Sequence, residues 1–281
     1  MKSDELSALR EFIERHPRLF VLTGAGISTD SGIPDYRDVN GEWKRSPPVQ
    51  FEPFMTQLAV RQRYWARSLV GWRYFGRAAP NAAHLALAEL GRLGRIDRLV
   101  TQNVDGLHEH AGSQDVIDLH GRLDVVRCME CNHRLSRADL QLELGSRNAE
   151  WTKFDAKVAP DGDVDLVVDD FSTFDVPPCP VCGGILKPDV VFFGESVPRD
   201  RVEAAMASAR NADAMLVVGS SLMVYSGYRF AEAAAAAGRP IAALNLGRTR
   251  ADALLALKVQ RSCVEVLPPV IDALTSLQSA P

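Results

Sequence analysis

The chain has 281 residues, of which 46% are hydrophobic and 24% charged, with a formal net charge of −4. That length can bury one large core, or a large and a small one. An acidic balance without a basic stripe supplies no phosphate contacts and argues against dedicated nucleic-acid binding. No apolar run approaches membrane-spanning length. The opening MKSDELSALREF has no signal core and reads as the first turns of an amphipathic helix. The expectation is a cytoplasmic protein with no membrane partner, and a monomer by default.

The first strand signal is the apolar run at residues 19–22, which enters TGAGISTDSGIPDYR, residues 23–37. Glycines at the end of a strand let backbone N–H groups approach a diphosphate closely. The dinucleotide fingerprint GxGxxG is incomplete, because after Gly24 and Gly26 its third glycine falls on Thr29. Pro34 disfavours helix at Ile33, so residues 33–37 read as a loop that carries an acid, an aromatic and an arginine over a bound cofactor. The same glycines also suit an ordinary turn that binds nothing.

Further strand-like runs fall at 99–101, 190–193, 215–218, 241–245 and 264–267, and helical stretches at 81–93, 199–209, 228–237 and 251–256. Short apolar strands alternating with amphipathic helices predict an α/β fold, a Rossmann-like parallel sheet with helices on both faces. Two stretches interrupt the rhythm. Residues 38–79 are rich in aromatics and arginine and read as a helical insertion. Residues 128–187 are bracketed by cysteine pairs and hold the acidic run DGDVDLVVDD. The expected division is a Rossmann-like domain of residues 1–37, 80–127 and 188–281. The insertions 38–79 and 128–187 then form a smaller, sequence-discontinuous helical and zinc-binding domain.

Four of the five cysteines form two CxxC pairs, Cys128/Cys131 and Cys179/Cys182, with 47 residues between the pairs. Four thiolates in two tight turns suit one tetrahedral Zn²⁺ with no open position, a structural site. A redox role for one pair is the weaker alternative. Cys263 reads as a small buried hydrophobe.

Polar residues gather where strands should end and ligands bind in open α/β sheets. After 99–101 come Gln102, Asn103 and Asp105; after 215–218, Gly219, Ser220 and Ser221; after 241–244, Asn245, Leu246 and Gly247. Of the six histidines, His120 stands out through its company, at the junction of sheet and insertion, where clefts form.

The ordered set GAGIS, GIPDYR, TQNVDGLH, LHG, paired CxxC, KPDVVFFGE, GSSL and NLG closely resembles the sirtuins, NAD-dependent protein-lysine deacylases, over residues 9–267. GIPDYR, RQRYWAR and VVGSSLMVYSGYRF are most similar to the class II branch. The resemblance implies that NAD is consumed as a co-substrate and that one structural Zn²⁺ is held by Cys128, Cys131, Cys179 and Cys182. It implies that Gly24, Ala25, Gly26, Ser28, Tyr36 and Arg37 hold the diphosphate and the nicotinamide ribose, and that Gln102 and Asn103 position the ribose and a water. Ile33, Asp35 and Asp105 line the nicotinamide pocket; Gly219, Ser220 and Ser221 serve a phosphate or ribose; Asn245, Leu246, Gly247 and Cys263 border the adenosine. His120 is the implied general base, with Asn103 the second catalytic residue, and Val190, Val191, Phe192, Phe193 and Gly194 pair with an acyl-lysine peptide or protein.

The implied chemistry weakens the C1′–nicotinamide bond, lets the acyl oxygen attack C1′ to give an alkylimidate, and has His120 accept a ribose-hydroxyl proton. Free lysine and O-acyl-ADP-ribose leave. Relatives specialised for acidic acyl groups carry a Tyr–Arg pair in the helical insertion; here GEWKRS, residues 41–46, places Trp43 and Ser46 instead. Acetyl or longer, less charged acyl groups are therefore expected. Protein mono-ADP-ribosylation from the same NAD site is the alternative.

Overall fold

A computed structural model describes residues 2–44 and 48–278. Helix α1 (Lys2–Arg15) leads into strand β1 (Leu19–Thr23), and two short 3₁₀ turns, Ala25–Ile27 and Thr29–Ser31, replace the long helix that usually follows a glycine-rich strand end. Helices α2 (Phe51–Thr56), α3 (Leu58–Phe75) and α4 (Ala82–Arg92) precede β2 (Ile96–Thr101), α5 (Leu107–His110) and β3 (Ile117–Asp118). Between β3 and the return of the chain lie β4 (Gly121–Cys128), β5 (Arg134–Ser136), α6 (Arg137–Arg147), β6 (Lys157–Val158), β7 (Val164–Asp165) and β8 (Leu186–Val190), so β4 and β8 run past the expected insertion bounds of 128 and 187 at both ends. The chain returns through α7 (Arg199–Asn211), β9 (Ala214–Val218), α8 (Tyr225–Ala236), β10 (Ile241–Leu244), β11 (Leu257–Val259) and α9 (Cys263–Gln278).

The main sheet runs β11-β10-β9-β1-β2-β3, and every pairing in it is parallel. Strand period two explains why its strands are apolar throughout: alternate residues enter different cores. Leu19, Val21, Leu216 and Leu244 pack with α1, α4 and α9. Phe20, Leu22, Met215 and Ile241 pack with α7 and α8 on the opposite face. The strand order reverses between β1 and β9, so the carboxyl ends at Thr23 and Val218 frame the crevice where doubly wound sheets bind ligands.

A second, three-stranded sheet, β5-β4-β8, is antiparallel. Its core is shared by both insertions: Phe54, Trp65 and Leu69 from the first meet Leu140, Leu144, Trp151 and Phe174 from the second. Arg137, fully buried, ties them by donating to the Ser68 carbonyl and hydroxyl, both at 3.1 Å, while its guanidinium lies 4.8 Å from the Trp72 ring centre.

Four expectations need correction. Residues 264–267 are helical, inside α9, despite Pro268 and Pro269. Buried Val266, Leu267, Val270, Ile271 and Leu274 keep a helical period that shows only in a window spanning the prolines. Residues 251–256 hold only the 3₁₀ turn Asp252–Leu254, followed by β11, which sequence reading missed along with β3. Helix α8 starts at Tyr225, three residues before the expected 228. Strand β8 ends at Val190, so 191–193 do not continue it as a regular strand. Val191 N–H still donates to the His120 carbonyl at 2.8 Å, one step beyond the Gly121–Val190 pair, and Phe193 then leaves β4 to bridge Gln50, with Phe51 N–H donating to its carbonyl at 2.9 Å.

Beneath the β1 turn the core is polar. Thr23 Oγ1 donates to Thr101 Oγ1 at 2.9 Å and accepts from His108 Nε2 at 2.8 Å. His84 Nδ1 accepts the Asn81 N–H at 3.3 Å, which leaves its Nε2–H for Ser28 Oγ at 3.4 Å. Burial pushes His84 down to about 4 and His108 to about 3, so both are neutral in the folded protein.

The four cysteine sulfurs lie within 4.8 Å of one another, with Sγ separations of 3.5 Å (Cys128–Cys182) and 3.7 Å (Cys131–Cys179). Tetrahedral Zn–S bonds of about 2.3 Å imply S–S edges of roughly 3.8 Å, so this set fits Zn²⁺. The fold predicts close to one zinc per chain by elemental analysis, lost in Cys179→Ser together with a lower melting temperature; a wild-type content far below one would sink the assignment. The buried histidines predict a pH signature. An unfolded imidazole takes a proton near 6.5 and buried His84 does not until about 4, so its contribution is present above 6.5 and lost as pH falls through that window. The stability gap between wild type and His84→Gln in urea unfolding should narrow by about 1.4 kcal/mol per pH unit below 6.5. A constant gap would refute it.

Candidate active site

The crevice at the switch point opens into a cavity of about 660 Å³, within the ordinary range for ligand sites. The turns after β1, β2, β9 and β10 line it, together with residues 190–197 and, from the insertions, Trp43, Phe75 and Pro160. Every NAD and substrate residue expected from the sequence borders this one cavity, from Gly24 through Cys263. The cysteine cluster lies outside it.

Two glycine turns set its floor. Gly26 N–H donates to the Gly219 carbonyl at 2.8 Å, and Gly24 N–H to the Val218 carbonyl at 3.2 Å. A Cβ at Gly26 would sit 2.8 Å from the Gly219 oxygen, and one at Gly219 (φ +61°) would sit 2.3 Å from Ile27 N. The glycines are thus required by the approach of one protein turn to another, before any ligand is considered.

Asn103 stands on this floor. Its Nδ2 donates to the Gly24 carbonyl at 3.2 Å and to Ser28 Oγ at 3.0 Å, and Ser28 Oγ donates to Asp105 Oδ2 at 2.8 Å. The Leu107 N–H donates to Asp105 Oδ1 at 2.9 Å. Burial raises the Asp105 carboxyl above the ordinary range, against these hydrogen bonds. Ser220 Oγ donates to Gln102 Oε1 at 2.6 Å, locking the β9 turn to the β2 turn. Asn245 Nδ2 donates to the Gly247 carbonyl at 3.1 Å. Burial pushes the Cys263 thiol up to about 12, so it is an unreactive wall.

His120 is bracketed. Its Nδ1 lies 2.8 Å from the Gln102 carbonyl, which can only accept, so Nδ1 carries the proton. Nε2 is therefore the lone pair, 2.8 Å from Ser226 Oγ. Burial lowers its pKa to about 4; the Gln102 carbonyl opposes this and the charges of Arg229 and Arg201 add to it.

Over the cavity mouth, Arg37 Nη1 donates to the Gly41 carbonyl at 2.7 Å with its guanidinium 4.0 Å from the Trp43 ring centre. The Trp43 ring is 5.7 Å from that of Phe193 and 6.0 Å from that of Tyr36, and Asp35 pairs with Lys44 at 2.5 Å. Ser46 lies outside the described residues. Below, Lys187 Nζ pairs with Glu195 at 3.0 Å and donates to the Val190 carbonyl, while Glu195 Oε2 accepts the Phe192 N–H at 3.0 Å. These bonds fix the course of 190–195. Sequence reading missed Phe75, Pro160, Ser226 and Arg229 as lining residues; only Ser226 and Arg229 lay in a motif it had marked. The cavity joins hydroxyl, amide and guanidinium donors at one end to apolar walls, a donor set that fits a dinucleotide beside an apolar substrate chain.

The profile of the Sir2 family matches residues 24–226. A protein named NAD-dependent protein deacetylase from Xanthomonas campestris pv. campestris (strain 8004) is 66% identical over 260 residues, covering 92% of this chain and 89% of its own. NAD-dependent protein deacylase Sirt4 of Drosophila melanogaster is 45% identical over 272 residues, covering 96% and 87%. A solved Sir2–p53 peptide–NAD+ structure is 28% identical with a TM-score of 0.75, covering 96% of this chain and 99% of its own. With a family profile spanning most of its length and relatives this similar across almost all of it, the chain belongs to the Sir2 family.

Proposed function

We propose that NAD and an acyl-lysine meet in the cavity at the switch point and that His120 is the base that completes acyl transfer. The chain is an NAD-dependent protein-lysine deacylase, and the observation that carries the residue assignment is the fixed His120 tautomer, with a lone pair held inside the cavity. When bound, NAD supplies the C1′ that nicotinamide leaves and the acyl oxygen takes. Ser28, Arg37, Ser220, Ser221 and Asn245 are the donors at hand for its phosphates and riboses. Asn103, held to the Gly24 carbonyl and Ser28, and Asp105 orient the nicotinamide end. His120 Nε2 is the final acceptor of the ribose-hydroxyl proton, while the Gln102 carbonyl keeps the ring from turning.

The outward edge of residues 190–194 pairs with the substrate peptide by backbone, a mode with little sequence demand. The Val191 and Phe192 N–H groups and the Val190, Phe192 and Phe193 carbonyls already have partners, so the other backbone groups of the segment carry that pairing. Ile33, Trp43, Phe75, Val104, Pro160 and Phe193 give the wall an apolar character that suits acetyl or longer uncharged acyl groups. The division into a sheet domain and a module built from both insertions is part of this reading, supported by their shared core. So is a cytoplasmic location, supported by a thiolate metal set that needs a reducing compartment; no helix among the described residues is long and apolar enough to cross a membrane.

Incubated with NAD and acyl-lysine peptides, wild type should give nicotinamide, free lysine and O-acyl-ADP-ribose by mass spectrometry. His120→Ala should lower kcat about 10²–10⁴-fold with an unchanged melting temperature. ADP-ribose on protein in place of deacylated peptide would favour the transferase alternative. Because His120 must be neutral and its pKa lies below 6.5 in the open cavity, kcat/KM should not fall between pH 8 and 6.5 through this group. An acid limb above 6.5 that disappears in His120→Gln would contradict this.

A further inference from the structure

Ser226 takes no part in the roles assigned so far, yet its hydroxyl lies 2.8 Å from Nε2 of the base. A neutral imidazole offers one N–H and one in-plane lone pair. The N–H of His120 is committed to the Gln102 carbonyl, and the lone pair at Nε2 faces Ser226 Oγ at 2.8 Å. The only proton available to that contact is the hydroxyl's, so Ser226 donates and His120 accepts. A ribose hydroxyl can reach Nε2 directly only by displacing the hydroxyl of Ser226, whose backbone is held in place. It stands in the first turn of α8, where Tyr228 N–H bonds back to the Val224 carbonyl at 3.2 Å. The next residue, Gly227, lies so close to the β2 turn that a Cβ there would meet Gln102 Nε2 at 2.6 Å. The turn bearing Ser226 and the turn bearing the Gln102 carbonyl are packed together, with His120 between them. Ser226 also lines the cavity.

Resting on the reading of His120 as base, we propose that Ser226 is a catalytic residue that relays the proton. Its hydroxyl proton moves to Nε2 as its Oγ takes the proton of the substrate ribose hydroxyl. The ribose oxygen gains the electron pair it needs for attack, Ser226 ends as a hydroxyl, and His120 ends as imidazolium with Nδ1–H still on Gln102. No other reactant is needed.

Three measurements test this. In wild type without ligand, histidine ¹⁵N NMR at neutral pH should show His120 protonated on Nδ1 with Nε2 accepting a hydrogen bond; an Nε2–H tautomer overturns the proposal without any variant. With saturating NAD and acetyl-lysine peptide, Ser226→Ala should lower kcat about 10–100-fold with KM for both substrates within about threefold, and Ser226→Thr should restore most of it. In the double variant with His120→Ala, the Ser226→Ala substitution should add no further loss, since both act in one step. A Ser226→Ala kcat within threefold of wild type, or losses that multiply in the double variant, overturns the relay. If His120→Ala itself keeps full activity, the underlying assignment of the base has failed instead.

Discussion

The site depends on the contact of two glycine turns, one after β1 and one after β9. Because Gly24, Gly26 and Gly219 lack side chains, the backbones meet at hydrogen-bond distance, with Gly26 N–H on the Gly219 carbonyl at 2.8 Å. That contact closes the sheet's switch point into a floor. Ser220 reaches Gln102 from it, Asn103 rests on Gly24, and the Gln102 carbonyl holds His120. A side chain at Gly26 or Gly219 would push the turns apart, and each later position would shift with them. At catalytic sites shifts of an ångström matter.

The facing wall comes from the two insertions, and buried cations hold it. Arg137 joins α3 to α6, and Lys187 pins the segment that would receive a peptide. Arg67 holds Asp163 through two bonds, at 2.7 and 2.8 Å, in the region that brings Pro160 to the cavity. Of these contacts only Lys187–Glu195 is a largely buried ion pair, and removing one of its partners is costly because the other remains desolvated. It therefore fixes where the wall stands more than it adds net stability. The zinc-ligand cysteines perform a similar task at the far end of β4 and β8 by joining two turns that have little apolar area of their own.

The sheet was legible because its strands are buried on both faces. Residues 19–22, 215–218 and 241–244 are continuous apolar runs that no exposed element would carry. Residues 264–267 misled for a physical reason: two prolines hide a helical period that tertiary packing enforces. Residues 190–193 misled because β-branched and aromatic residues favour strand locally, while after Val191 the segment leaves β4 and bridges to Gln50 and Phe51, distant in sequence. The acidic run 161–170 carries no local sign of its partner, because the bond from Asp163 to Arg67 spans 96 residues. Site residues on strand ends were readable; those delivered by an insertion, such as Phe75 and Pro160, carried no local sign.

Buried His84 and His108 and half-buried His120 show why residue type alone could not single out the proposed base. His84 Nδ1 accepts a backbone N–H, so its proton sits on Nε2 and serves Ser28. His108 also donates through Nε2, to Thr23, and its Nδ1 has no hydrogen-bond partner among the described residues. Both have their bonding confined to the core. His120 alone among them donates through Nδ1 to a carbonyl, which leaves its lone pair to the hydroxyl of Ser226, a cavity-lining residue. Burial keeps all three neutral, so charge state does not distinguish them. What does is the nitrogen that each neighbour leaves unprotonated, and for His120 that neighbour is a backbone carbonyl, which the identity of residue 102 does not reveal.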